Sequence, residues 1–307
     1  MSIKHNESET PCSSERGTRF PPLLQEHENE SLDQRHITQT KMLAVRSGGS
    51  LDQHDWLASE EPLEIRVNGP GQELVSVSVT MRTPGNDHEL AVGFLYTEGL
   101  IRSHTEIVAV EADDLRRDGR PCNVVTVHLV HAFDPAPLKR NFYATSSCGI
   151  CGKASLAQIA VHCPPVAPGP VLARSVLIHL PTLLRNAQQV FTQTGGLHAA
   201  GVFDITGHLV SLREDVGRHN AVDKVVGQGV LAGEACLANH ILLVSGRTSF
   251  EIMQKATMAR IPIICAVSAP SSLAVEVARR FRMTLIGFLR GHNFNVYTHP
   301  ERIALDR

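Results

Sequence analysis

Cys148 and Cys151 stand three residues apart in Ser146-Ser147-Cys148-Gly149-Ile150-Cys151-Gly152-Lys153. Such a pair supports three chemistries: half of a zinc site, a dithiol redox couple, or a nucleophilic thiol that carries a group. A structural zinc ion takes about four ligands, usually from a second paired motif. No second C-x-x-C exists, although 16 histidines keep a zinc clamp open as an alternative. A redox pair would sit at the end of a strand opening a thioredoxin-like helix, and the flanks here differ from that. Two serines before the pair and a glycine after each cysteine make an exposed loop with little side-chain cover. A helix beginning near Gly152 turns its positive end towards the sulfurs, and Lys153 adds a charge. Both effects favour thiolate, lowering the thiol pKa from about 8.5 into the range of about 3.5 to 7.5. An accessible thiolate suits the uptake and delivery of sulfur as a persulfide. The plain structural alternative is a turn whose cysteines merely pack, a poor use of glycine-flanked pairs.

A second group of residues collects where predicted strands end. These segments are Ser245-Gly246-Arg247-Thr248-Ser249, Ser268-Ala269-Pro270-Ser271-Ser272 and Phe288-Leu289-Arg290-Gly291-His292-Asn293. In an open α/β sheet, ligands bind beyond the carboxyl ends of strands, near helix N-termini. Small residues, hydroxyls and two arginines there are chemistry for phosphate and nucleotide. The bland reading makes Thr248 and Ser271 or Ser272 helix caps, with Thr248 and Glu251 as a capping box. The charged stretch at 212–220 either starts a helix in solvent or brings Arg218 or His219 into the same mouth.

The elements that must position these groups follow from periodicity. PLEIRVNG and ELVSVSVTMRT alternate apolar and polar residues around an Asn68-Gly69-Pro70-Gly71 turn, a strand pair. NDHELAVGFLYTEGLI has helical spacing, with Asn86 and Glu89 placed as a capping box. EIVAVEA and NVVTVHLV read as further strands. KASLAQIAVH and PTLLRNAQQVFTQTG read as helices, the second closed by Gly195-Gly196. Beyond it a hairpin, HAAGVFD and HLVSLRED, leads into the helix GRHNAVDKVVGQGVLAG. Short apolar runs HILLVSG, PIICAVSA and MTLIGFLR then alternate with helices SFEIMQKATMAR and SSLAVEVARRF, and FNVYT adds a last strand. That rhythm requires parallel strands covered by helices. The expected organisation is a mobile tail over 1–40, a smaller α+β domain over 41–145, and an α/β domain over 146–307 that begins with the C-x-x-C loop.

The chain has 307 residues, 42% of them hydrophobic, with 29 basic against 31 acidic side chains and so a formal charge of −2. Near-neutral balance gives no support for broad binding to nucleic acid or an anionic membrane. No apolar run reaches the roughly 18 to 20 residues of a spanning helix. The N-terminal MSIKHNESETPCSSERG lacks the apolar stretch of a secretory signal, so a cytoplasmic protein is expected. Seven cysteines, an odd number in a long chain, do not form a secreted disulfide framework; Cys12 in the tail is incidental, and Cys236 and Cys265 read as inert thiols.

SSCGICGKASL, TGGLHAAGVFD, REDVGRHNAVDKV, LLVSGRTSFEIMQKA, PIICAVSAPSSLAVE and GFLRGHNFNVYTHPERI together resemble the FdhD family, the sulfurtransferase accessory proteins of formate dehydrogenase. The resemblance covers the chain from about Pro62 onward. It implies a cytoplasmic homodimer whose C-terminal domain has a cytidine-deaminase-like fold, a mixed sheet covered by helices. It implies that Cys148 takes sulfur from a cysteine desulfurase as a persulfide, with Cys151 as its partner. The acceptor it implies is the Mo-bis(molybdopterin guanine dinucleotide) cofactor, or its tungsten analogue, before insertion into formate dehydrogenase. Phe288, Leu289, Arg290, Gly291, His292 and Asn293 would then lie in the segment that binds this cofactor. No resident metal is expected. Zinc deaminases use H-x-E followed by P-C-x-x-C; His198-Ala199-Ala200 lacks the glutamate and the C-x-x-C comes first, so deamination is not expected. The competing function is a non-catalytic chaperone of the cofactor, its cysteines clamping zinc or idle.

Overall fold

The computed structural model describes residues 34–115, 121–134, 163–234 and 236–305. After a 3-10 turn at Gln34–His36 comes a two-stranded ribbon absent from the sequence reading. β1 (Ile37–Arg46) and β2 (Gly49–Ala58) pair antiparallel, from Ile37 opposite Ala58 to Arg46 opposite Gly49. β1 therefore begins inside the stretch read as a tail. Most ribbon residues are exposed, so neither strand carries the clean alternation that marks a half-buried strand.

β3 (Glu61–Asn68) and β4 (Val75–Arg82) form the expected antiparallel pair. They are joined by β5 (Ile107–Leu115) and β6 (Pro121–Leu129) in the order β4-β3-β6-β5, with β3 and β6 parallel. Period-two alternation turns Leu63, Ile65 and Val67 to one face, where all three are sealed from solvent. α1 (Asp87–Thr97) covers that face with Leu90, Ala91, Val92 and Leu95. The expected capping box at its start does not form. Asn86 adopts the left-handed conformation (φ 55°) and makes no side-chain cap, whereas a reciprocal box needs an extended N-cap backbone. Glu89 instead accepts the Arg213 guanidinium, with Nη2 at 2.6 Å.

Downstream, β7 (Leu172–Ala173) leads into α2 (Arg174–Leu177), α3 (Leu180–Ala187) and α4 (Gln189–Thr194). The single helix expected over 181–195 is two, broken at Gln188 (ψ 90°). The Glu214 carboxylate restarts it by accepting the N–H groups of Val190 and Phe191 at 2.9 and 2.8 Å. Gly195, at φ 67°, ends it as expected.

β8 (His198–Phe203) and β9 (Leu209–Asp215) form the predicted hairpin. α5 (Arg218–Leu231), β10 (Ile241–Val244), α6 (Phe250–Met258), β11 (Ile263–Ala266), α7 (Ser272–Arg280), β12 (Thr284–Arg290), β13 (Asn293–Thr298) and β14 (Ile303–Ala304) complete the order. Six strands make a mixed sheet, β13-β12-β11-β10-β8-β9, in which β10, β11 and β12 are parallel. This is the mixed sheet covered by helices that the family resemblance implies, and its central strands are the parallel ones expected from the apolar runs. Its central runs are apolar at every position because both faces are covered: Leu242, Val244 and Ile264 join the α1, α5 and α6 side, while Ile241, Leu243 and Ile263 join the α2 and α3 side.

The two sheets share one interior. A single apolar cluster runs from Leu63 and Ile65 through Leu90 and Leu95 to Val222, Val226 and Ile264. α1 crosses α5 at two glycines: a Cβ on Gly93 would lie 1.8 Å from the Asp223 carbonyl oxygen, and one on Gly227 1.9 Å from that of Glu89. Beside the crossing, Lys255 of α6 reaches Asp223 of α5 at 2.9 Å and Glu98 after α1 at 3.4 Å. The helix predicted over 153–162 and the boundary at 145/146 lie outside the described residues.

Candidate functional site

The carboxyl ends of β10, β11 and β12 meet in one rim. Thr248 N–H donates to Ala269 O (3.2 Å), and Ser271 N–H to Thr248 O (2.9 Å). Phe288 N–H donates to Ser268 O at 3.0 Å, and Arg290 Nε to Val267 O at 3.0 Å. The rim is close enough that a Cβ on Gly287 would stand 2.9 Å from Pro270 Cδ. The three strand-end segments singled out in the sequence are thus brought together.

Within the last segment the six predicted residues differ. Leu289 points into the apolar layer and is fully buried. Arg290 is exposed but tied to Val267. Phe288 is 44% exposed and holds φ at 54°, a left-handed backbone that costs a bulky residue about 1 to 3 kcal/mol. Gly291, at φ 53°, makes the turn that returns the chain, Arg290 pairing with Asn293. Gly291, His292 and Asn293 are exposed. An uncovered aromatic ring held at strain is the segment's clearest functional sign.

The hydroxyls divide. Ser271 Oγ caps α7, accepting Ala274 N–H at 3.2 Å. Thr248 forms no capping box; Ser249 is the N-cap of α6 and makes no side-chain cap, and Thr248 Oγ1 is buried with no partner among the described residues.

The antiparallel β8 brings His198 to the same edge. Ala199 N–H donates to Ser245 Oγ (2.9 Å), and a Cβ on Gly246 would lie 3.3 Å from His198 Nδ1 and 3.9 Å from Arg218 Cδ. Arg218 and His219 open α5 there, and Arg247 projects from the β10–α6 loop. His219 Nε2 lies 3.3 Å from Ser249 Oγ and 3.9 Å from Glu251. Burial, then the charge of Arg218, push the His198 imidazole below its ordinary pKa, with Arg247 adding to the effect and Asp215 opposing it. Burial, Arg218 and Lys255 push His219 down to about 4. Both rings are therefore neutral near pH 7. The sequence reading left Arg218 and His219 undecided and did not assign His198 to the site. One signal was available: α5 has basic residues and no acidic one in its first turn, contrary to what the helix dipole favours.

Cys148 and Cys151 lie outside the described residues. Of the described cysteines, Cys163 and Cys265 are buried and burial pushes both thiols up, so neither is a nucleophile. No group of three or more His, Cys, Asp or Glu side chains among the described residues is arranged to hold a metal. Nor is any described helix long and apolar enough to cross a membrane. A separate cleft of about 650 Å³ lies by Glu61, Arg82, Asn86 and Asn123. Its buried cation is already satisfied: Arg82 donates to Asp87 at 2.9 and 2.8 Å and to Asn123 at 3.0 Å.

The sequence pattern of the FdhD/NarQ family matches residues 58–304. The sulfur carrier protein FdhD of Streptomyces avermitilis is 48% identical over 284 residues, covering 86% of this chain and 95% of the relative. That of Mycobacterium tuberculosis is 49% identical over 258 residues (81% and 91%). That of Thermoplasma volcanium is 43% identical over 265 residues (85% and 94%). A crystal structure of a candidate formate dehydrogenase accessory protein from Desulfotalea psychrophila superimposes with a TM-score of 0.67 at 24% identity, covering 87% of this chain and 99% of that one. This last likeness concerns the fold.

Proposed function

Because the chain belongs to the FdhD/NarQ family, we propose that it is a sulfur carrier for formate dehydrogenase. One observation carries the reading: relatives named sulfur carrier protein FdhD match it at 43 to 49% identity over more than nine tenths of their own length. The matched span, 58–304, includes both Cys148 and Cys151 as well as the sheet edge. In the first step the Cys148 thiolate attacks the outer sulfur of a cysteine desulfurase persulfide. A new S–S bond forms on Cys148, the old one breaks, and the desulfurase cysteine leaves as thiolate. Cys151 either stabilises the persulfide or attacks its inner sulfur, forming a Cys148–Cys151 disulfide and releasing the outer sulfur as hydrosulfide.

The acceptor in this proposal is the Mo-bis(molybdopterin guanine dinucleotide) cofactor, or its tungsten analogue, handled as cargo before its insertion into formate dehydrogenase. The sheet edge supports that assignment: backbone N–H groups at helix starts, guanidinium forks for phosphate, and the exposed Phe288 ring for stacking on a base. The same resemblance brings cytoplasmic residence and a homodimer into the proposal.

The test is Cys148→Ala. Incubated with a desulfurase and cysteine, the wild-type chain gains one sulfur atom in intact mass and the variant gains none; formate dehydrogenase matured beside the variant is inactive. Normal activity beside the variant would remove Cys148 from the carrier role. Stoichiometric zinc that disappears when both cysteines are replaced would favour the cofactor-binding chaperone instead.

A further inference from the structure

We infer that Arg260, Arg279, Arg280 and Arg282, gathered where α6 and α7 end, are the docking surface for an acidic face of the enzyme that supplies the sulfur.

The backbone beneath these residues is an unusual choice. α6 is capped by Ala259 and α7 by Phe281, and the next residue of each, Arg260 and Arg282, holds a left-handed backbone at φ 62° and 58°. Both close the same motif: Ile261 N–H donates to Ala256 O at 3.0 Å, and Met283 N–H to Ala278 O at 2.9 Å. Glycine is the usual residue at that position, because an L side chain strains the conformation. Basic residues in a last turn complement the helix dipole, but Arg279 and Arg280 already do so for α7. Position 282 therefore sacrifices backbone stability for one more guanidinium, and position 260 does the same beside it.

The four side chains emerge together. Arg260 leads into β11 and Arg282 into β12, parallel neighbours with Ile263 opposite Thr284, so the two backbones stand roughly 5 to 10 Å apart. Arg279, Arg280 and Arg282 are exposed and Arg260 is half-buried. None of the four makes a salt bridge among the described residues; Arg260 Nη1 reaches Pro164 O at 3.5 Å. The carboxylates at this end do not cancel them. Glu276 is a single acid against three arginines on α7 and its cap. Glu301 is bonded to His299 at 2.9 Å, and Glu234 keeps its Oε2 out of solvent. Guanidinium forks match carboxylates, and exposed charges at an interface act chiefly on encounter rate and choice of partner.

Placement in the fold selects that partner. The described chain resumes at Cys163, twelve residues after Cys151, and lies against the patch. Cys163 Sγ is 3.3 Å from Met258 Sδ, and Val166 N–H donates to Phe281 O at 2.9 Å. Twelve residues span at most about 43 Å, so chain length alone lets the paired thiols meet a persulfide on a partner seated here. The rim read as the cofactor's seat lies at the other end of the same strands, roughly 20 Å away from Arg282 to Phe288. Donor and acceptor then occupy opposite ends of one sheet, and neither blocks the other. The inference rests on the carrier reading, and the experiment separates the two.

The Cys148-dependent gain of sulfur by the full chain is followed by intact mass, from a cysteine desulfurase with cysteine and, separately, from inorganic polysulfide, which needs no docking. In the second case the Cys148 thiolate attacks a polysulfide sulfur, a new S–S bond forms, the old one breaks and the shortened polysulfide leaves. Arg279→Glu/Arg282→Glu should raise the KM of the desulfurase for its acceptor by about tenfold or more with kcat little changed, since charge steering acts on encounter. The same variant should load from polysulfide as wild type does. Raising salt from roughly 50 to 500 mM should slow the desulfurase on wild type far more than on the variant. Arg282→Lys keeps the charge and most of the rate. Arg282→Gly relieves the left-handed backbone, so it melts at or above wild type yet loads more slowly from the desulfurase; a purely structural arginine would not separate those readouts. A charge-reversed variant that the desulfurase loads as it loads wild type, or that loses loading from both donors alike, overturns the inference and spares the carrier reading. Wild type that gains sulfur from neither donor overturns both.

Discussion

Lys255→Met probes the join between the two sheets and the start of α5 together. Lys255 Nζ lies 2.9 Å from Asp223 Oδ2, 3.1 Å from Thr97 Oγ1 and 3.4 Å from Glu98 Oε1. Thr97 Oγ1 donates to Asp223 Oδ1 at 2.7 Å, so three helices are tied through one carboxylate. Methionine preserves length and apolar packing but leaves Asp223, 2% exposed, with a single hydroxyl partner. Removing one member of a buried pair costs about 3 to 5 kcal/mol. At about 2 to 4 °C per kcal/mol for chains somewhat smaller than this one, the melting temperature should fall by roughly 6 to 20 °C. The sign of the pH dependence is fixed. Burial already raises the Asp223 carboxyl above its ordinary pKa, and Lys255 is the largest influence lowering it. Without Lys255 the folded pKa rises further above the unfolded one, so the folded chain binds the extra proton and regains stability as pH falls. The deficit against wild type should therefore narrow between pH 7 and pH 5. Lys255→Met/Asp223→Asn should recover much of the loss, since coupled neighbours are non-additive. Thermal melts of wild type, Lys255→Met, Asp223→Asn and the double variant at both pH values measure all of this. A single variant that melts with wild type, or a double variant no better than the single, refutes the claim that this pair joins the sheets.

Two further outcomes follow from the same region. Gly227→Ala should destabilise by about 1 to 3 kcal/mol, although alanine in a helix is ordinarily worth about 1 kcal/mol over glycine, because the new Cβ would stand 1.9 Å from the Glu89 carbonyl oxygen; a melt at or above wild type would contradict the crossing. His219, pushed to about 4 by burial, Arg218, Lys255 and His198 against the pull of Glu251, takes up its proton in the unfolded chain near pH 6.5 but in the folded one only near 4. Its share of stability is therefore present above about 6.5 and lost on the way down to about 4. His219→Asn should flatten the fall of the urea midpoint across that window, and identical slopes would place the depressed histidine elsewhere.

How much of this was legible depends on what each residue's environment leaves in the sequence. HILLVSG, PIICAVSA and MTLIGFLR announced buried parallel strands because both faces of β10, β11 and β12 are covered, which forces apolar residues at every position. The ribbon of β1 and β2 left no such mark, since solvent reaches most of it and Leu43, Val45, Leu51 and Trp56 remain exposed among polar residues. Asp223 and Lys224 stand in the middle of α5, the helix expected there, yet both charged side chains are buried. A period of 3.6 assigns charge to solvent; it cannot foresee that Lys255 and Asp215, on other elements, arrive to neutralise them.

The site was legible where a rule about backbone applied and obscure where antiparallel pairing intervened. Parallel strands point their carboxyl ends one way, so the segments at 245–249, 268–272 and 288–293 could be placed on one edge before any coordinates. The first residue of a strand pairing antiparallel with β10 reaches that same edge from the opposite direction, and hairpin patterning alone does not disclose which neighbour β8 will take. Once Ala200 pairs with Val244, His198 must stand beside Gly246, and α5, entered directly after β9, must begin there too. Register therefore places His198 and Arg218 beside Gly246, with Asp215 acting on His198 and Glu251 3.9 Å from His219 at the same edge.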